Sequence, residues 1–103
     1  MAYIDSALDD PTGHVQAVIY TGNGTARSIT FDGSTNMNPD MVWCKIRSQS
    51  YSHRLFDKIR GTGKFLHTDT NEAEGTNAQN LSAFNSNGFS LGTDNGTNSN
   101  TDT

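Results

Sequence analysis

From Val15 the chain alternates: Val15, Ala17 and Ile19 fall on one face, Gln16, Val18 and Tyr20 on the other. A period of two predicts a strand. "RSITF" repeats the pattern, with Arg27, Ile29 and Phe31 opposite Ser28 and Thr30. Between the two lies "TGNGTA", whose Asn23-Gly24 pair accepts positive φ at little cost and predicts a hairpin corner. "FDGSTNMNPD" reads as a second turn region. "MVWCKIR" then alternates cleanly, Val42, Cys44 and Ile46 against Met41, Trp43, Lys45 and Arg47, and the first set is fit for a core. "HRLFDKIRG" fits a strand or a short helix, and strand neighbours favour the strand. "GKFLHT" predicts another short strand. "LSAFNSNGFSLG" predicts a hairpin cornered at "NSNG", with Phe84, Phe89 and Leu91 inward.

Two regions lie outside this pattern. Residues 1–13, closed by Pro11 and Gly13, read as an N-terminal arm whose Tyr3, Ile4 and Leu8 are expected to dock on a neighbouring subunit or a larger particle. The end, "TDNGTNSNTDT", carries no apolar anchor and is expected to be a loop or disordered. Short strands separated by turn signals, over residues 14–103, predict one all-β domain: an antiparallel β-sandwich or a barrel.

Composition sharpens this. Only 32% of the 103 residues are hydrophobic and 17% are charged, so the polarity comes from Asn, Ser, Thr and Gly, which suit exposed, turn-rich β structure. So thin a core is expected to lean on neighbouring chain or other subunits. A net charge of −4 argues against a nucleic-acid partner. No apolar run approaches the ~20 residues of a membrane helix, and no secretion signal is legible at the start. Cys44, the single cysteine, cannot form an internal disulfide and is expected to be a buried, inert thiol.

Candidate chemistry is sparse, and neither enzyme activity nor a cofactor is expected. "RGTGK" lacks the earlier glycine and the Ser/Thr that a phosphate loop requires. "DTNEAEG" clusters Asp69, Glu72 and Glu74, but Ala73 and Gly75 stand at the wrong places for a calcium loop. "SYSHRLFD" holds Ser, His and Asp without a nucleophile elbow. The outward face of "MVWCKIR" is more informative. Trp43, followed by Tyr51, His53 and Arg54, could stack on a glycan or form a partner contact. The competing reading buries Trp43 in a second core layer.

Several motifs recur together in order: "YTGNG" (Tyr20 to Gly24), "PDMVWCKIR" (Pro39 to Arg47), "SHRLFDKIRG" (Ser52 to Gly61), "KFL" (Lys64 to Leu66), "AE" (Ala73, Glu74) and "FNSNGFSLG" (Phe84 to Gly92). On these the sequence resembles a domain found in tailed-phage virion proteins, especially tail fibres. The resemblance implies a lectin-like or jelly-roll β-sandwich. It implies a structural role in assembly or host attachment, in a tail fibre or on the capsid surface, in a homo-oligomer for which a trimer is favoured. Other virion proteins and host surface glycans are the implied partners; no catalytic residues, cofactor or membrane insertion are implied. The chain would be made in the host cytoplasm. That family's pattern continues into an aromatic closing strand, roughly "Y-V-A-W", where this chain reaches Thr103. The sandwich is therefore expected to lack its last strand and to leave an edge open for pairing.

Overall fold

The structure is a computed structural model that describes residues 11–99. Tyr3, Ile4 and Leu8 of the expected docking arm lie outside the described residues. After a short 3-10 turn at Pro11–Gly13 come seven strands. They are β1 (Arg27–Thr30), β2 (Met41–Cys44), β3 (Arg54–Asp57), β4 (Lys64–Phe65), β5 (Gly75–Thr76), β6 (Leu81–Asn85) and β7 (Gly88–Leu91). A one-turn helix, α1 (Asn95–Asn98), follows.

The protein is mostly β, in three small antiparallel sheets ordered β1-β7-β6, β2-β3 and β4-β5. The β2-β3 and β4-β5 pairs are linked by a single bridge between Leu55 and Leu66. No closed sandwich or barrel forms among the described residues. The sheets converge on one core built from Ile29, Phe31, Val42, Cys44, Phe56, Phe65, Leu81, Phe89 and Leu91. Period-2 patterning explains most of this set. Val42 and Cys44 are buried while Met41 and Trp43, which alternate with them, are exposed, and Ile29 of β1 sits opposite Phe89 of β7. Phe31 and Phe89 meet edge-on with centroids 5.9 Å apart, an arrangement that suits the aromatic quadrupole.

The β6-β7 hairpin forms as its sequence predicts. Asn85 pairs with Gly88 across the two-residue loop Ser86-Asn87. Gly88 has φ +147°, and a Cβ there would collide with the Ile29 carbonyl of β1. The site requires glycine both for its dihedral and for the close approach of the neighbouring strand.

Two expectations are corrected. Val15–Tyr20 is not a strand, and Asn23-Gly24 does not corner a hairpin. The alternation survives as burial, with Gln16, Val18 and Tyr20 half-buried and Val15, Ala17 and Ile19 exposed, but no strand among the described residues pairs with the segment. Gly24 does adopt a positive φ of 68°. Its turn serves another purpose: the Gly24 amide donates to the Asn98 carbonyl at 2.9 Å. The second correction concerns the tail. Within residues 93–99 it is neither loop nor disordered throughout: Asn95–Asn98 form the one-turn helix α1, capped by Asp94 and anchored by the Asn98 amide.

Candidate functional site

Two clusters of chemistry-bearing side chains stand on opposite faces of the β2-β3 pair. The register sets them apart: Trp43 lies opposite Leu55, and Cys44 opposite Arg54. Trp43 and Arg54 therefore project to different faces, because neighbouring residues on a strand point opposite ways.

The outer cluster centres on Trp43, which is 63% exposed, so among the described residues no second core layer covers it, against the competing reading. The ring is nonetheless fixed. Its Nε1–H donates to Thr68 Oγ1 at 3.2 Å, and the His53 ring lies against it with centroids 5.8 Å apart. His53 is held in turn, because its backbone amide donates to Asp69 Oδ1 at 3.2 Å. Lys45, on the same face of the chain as Trp43, donates from Nζ to the carbonyls of Gln49 at 3.0 Å and Tyr51 at 2.6 Å. That clamp closes the "SQSY" loop and leaves the Tyr51 ring partly exposed. Met41 adds a second exposed apolar side chain on this strand face. An indole exposed on its face but anchored at its edge can stack on a flat apolar surface at little entropic cost.

Arg54, the fourth residue expected in this contact group, is not part of it. It turns inward beneath the sheet, with its guanidinium 4.6 Å from the centre of the Phe65 ring. It donates to Asn80 Oδ1 at 2.6 Å and pairs with Asp94 at 3.0 Å. Asp94 also receives the amide of Gly96 at 2.7 Å as N-cap of α1, and the side-chain amide of Asn77 at 2.7 Å.

Beyond Asp94, α1 packs its backbone against the "TGNG" loop. Asn98 is fully buried and uses both ends of its amide. Nδ2 donates to the carbonyls of Thr25 at 2.6 Å and Gly92 at 2.8 Å, and Oδ1 accepts from the Asn23 amide at 3.1 Å. Tyr20 Oη donates to the Thr97 carbonyl at 2.7 Å. Burial is the main cause that pushes the Tyr20 hydroxyl far above its usual range, and the adjacent Cys44 adds to it. Burial likewise pushes the Cys44 thiol up to about 11, partly offset by Tyr20 and Arg54. Cys44 is thus a buried, unreactive thiol, as its place in the pattern predicts.

The carboxylates of "DTNEAEG" do not converge. Asp69 holds the His53 backbone, Glu72 lies 3.3 Å from His67, and Glu74 pairs with Arg60. The inner polar cluster is what sequence reasoning missed. Its signal was legible in principle: Asp94 precedes "NGTN" as a helix N-cap would, and a tail of Asn and Thr can donate and accept at once.

No curated protein and no solved structure matches the chain. A family model, described as Domain of unknown function (DUF7483), does match, and it spans residues 10–103. That span takes in every strand, both polar clusters and the C-terminal helix, and the chain belongs to this family.

Proposed function

We propose that this domain is a structural part of a tailed-phage virion, a tail-fibre or tail-associated segment that works by surface contact. Anchored exposure of Trp43 carries the reading. An exposed indole adds little to the core of a monomer, yet this one is positioned by Thr68 and braced by His53. Such rings dominate contact surfaces, because a rigid aromatic buries much area at low entropic cost. The resemblance of the ordered motifs to a domain of tailed-phage virion proteins supports the same reading. So does the use of Asp69, Glu72 and Glu74 as separate loop fasteners. The three small sheets are compatible with completion into a β-sandwich once the domain is assembled, in a homo-oligomer for which we favour a trimer.

The partner is another virion protein or a host surface glycan, met through Trp43, His53 and Tyr51. Tryptic peptides of this chain should be recovered from purified phage particles at stoichiometric copy number. The purified protein is then tested against the other virion proteins and on a glycan array, with Trp43→Ala as control. Loss of a single binding partner on Trp43→Ala supports the reading. Absence from particles together with no partner in either assay rejects it.

A further inference from the structure

Three Asn-Gly pairs stand among the described residues: Asn23-Gly24, Asn87-Gly88 and Asn95-Gly96. Each carries the same latent chemistry. Glycine has no Cβ, so its amide nitrogen can come close to the preceding side chain. Having lost its proton, that nitrogen attacks the asparagine Cγ. The C–N bond of the side-chain amide breaks, the leaving nitrogen takes up a proton, and ammonia departs from a five-membered succinimide. One water opens the ring at either carbonyl and leaves aspartate or isoaspartate. Water is the one co-reactant, and nothing is oxidised or reduced. The reaction needs a side chain free to turn onto its own backbone and a glycine amide free to meet it.

The fold ties down two of the three pairs. Asn87 is held at both ends of its amide: Oδ1 accepts from the Met37 amide at 3.0 Å, and Nδ2 donates to the Phe31 carbonyl at 3.2 Å. Gly88 after it is buried in β7 beside the Ile29 carbonyl. At Asn23, Oδ1 accepts from the Thr25 amide at 3.0 Å. The Gly24 amide donates to the Asn98 carbonyl at 2.9 Å, which joins it to the far end of the chain. Asn95 differs. Its side chain is exposed and makes no hydrogen bond among the described residues. The Gly96 amide donates within its own turn, to Asp94 Oδ2 at 2.7 Å.

We propose that Asn95 is a self-modification site, the one Asn-Gly pair of the three that converts to aspartate and isoaspartate while the protein is folded. Conversion at Asn23 or Asn87 must first break bonds that join separate segments of the chain. At Asn95 it needs only the first residues of a four-residue helix to fray, and local opening of that kind costs far less than parting strands. The place gives the product a consequence. Isoaspartate routes the main chain through its own Cβ and lengthens it by one atom, directly before Gly96. Gly96 lies so close under the Arg54 guanidinium that an added Cβ would meet Arg54 Cζ at 2.3 Å. An extra main-chain atom there disturbs both that contact and the Asp94 cap. The polar anchor of the tail therefore loosens as the protein ages.

Timed incubation of the full chain in warm buffer at pH 8, followed by peptide mapping with fragmentation, tests this. The same chain unfolded in urea is the reference, where the three pairs should convert at similar rates. In the folded protein Asn95 is expected to convert at least tenfold faster than Asn23 or Asn87, and Asn95→Gln should remove most of the mass gain. Conversion in the folded protein that is spread evenly over the three pairs, or led by Asn23 or Asn87, overturns the proposal. So does an Asn95 still intact when the urea-unfolded chain has converted fully. The consequence is read separately. The isoaspartate fraction should melt below Asn95→Asp, which adds the charge without lengthening the main chain, and equal melting temperatures would overturn the loosening.

Discussion

Asn98 shows at the scale of one residue how so polar a chain holds a fold. Its side chain is fully buried and satisfied by three backbone groups that belong to separate parts of the chain, Asn23, Thr25 and Gly92. Buried polar groups left without partners cost ~1–3 kcal/mol each, so the loss of this amide is worse than the loss of three ordinary bonds suggests. Asn98→Ala should lower stability by about 3 kcal/mol in urea titration. Asn98→Asp should be no milder, because it sets a carboxylate against the Thr25 and Gly92 carbonyls. A cost below about 1 kcal/mol for both would mean that the tail is not an anchor.

The neighbouring pair Tyr20 and Cys44 makes a prediction about pH. Both acids are raised by burial, so the folded protein retains protons that the unfolded chain gives up. For Cys44, stability is flat below pH ~9 and falls as pH rises toward about 11. The urea midpoint between pH 8 and 11 should therefore decline, and Cys44→Ala should make the decline shallower. In the native protein at pH 8 the thiol should resist aromatic disulfide reagents until urea unfolds the chain.

At the scale of elements, the sequence was most legible where local pattern and tertiary pairing agree. β2, β3 and the β6-β7 hairpin stand where alternation and Asn-Gly placed them, because both faces of those strands have definite surroundings. Val15–Tyr20 has the same alternation, but a strand also needs a partner, and periodicity reports only which side is buried. The tail was misread for the complementary reason. Hydrophobic pattern is blind to an anchor made of Asn98, Thr97 and Asp94, whose buried contacts are all hydrogen bonds. Of the candidate contact residues, Trp43 and His53 were legible together. Arg54 was grouped with them only because it follows His53 in the chain; the alternation of β3 puts it on the face of the buried Phe56, away from Trp43. Two element-scale outcomes follow. Gly88→Ala should cost about 3 kcal/mol or more, since it adds a Cβ at positive φ against the β1 backbone. Truncation after Thr93 removes Asp94 from Arg54 and Asn77. It should lower the melting temperature, because it strips partners from a part-buried guanidinium rather than trimming a loose end.

At the scale of the whole molecule, the core network and the exposed aromatic cluster occupy different faces of one thin sheet pair. The inner face of β2-β3 holds the core and the Arg54 network, while the outer face carries Trp43, Met41 and the His53 ring. If contact is what the outer face is for, the two properties should separate on mutation. Trp43→Ala removes a ring that is 63% exposed and one hydrogen bond to an exposed threonine. Little area is taken out of the core, so the stability loss should be within about 1 kcal/mol. Arg54→Ala, one strand away, leaves the part-buried Asp94 without its cation and should cost more. The binding assays should rank the two in the reverse order. Trp43→Ala should weaken attachment at least tenfold at unchanged melting temperature, and Arg54→Ala should leave attachment intact wherever it remains folded. A Trp43→Ala protein that melts as early as Arg54→Ala would make the indole a structural residue, and the proposed virion contact would then need a different surface.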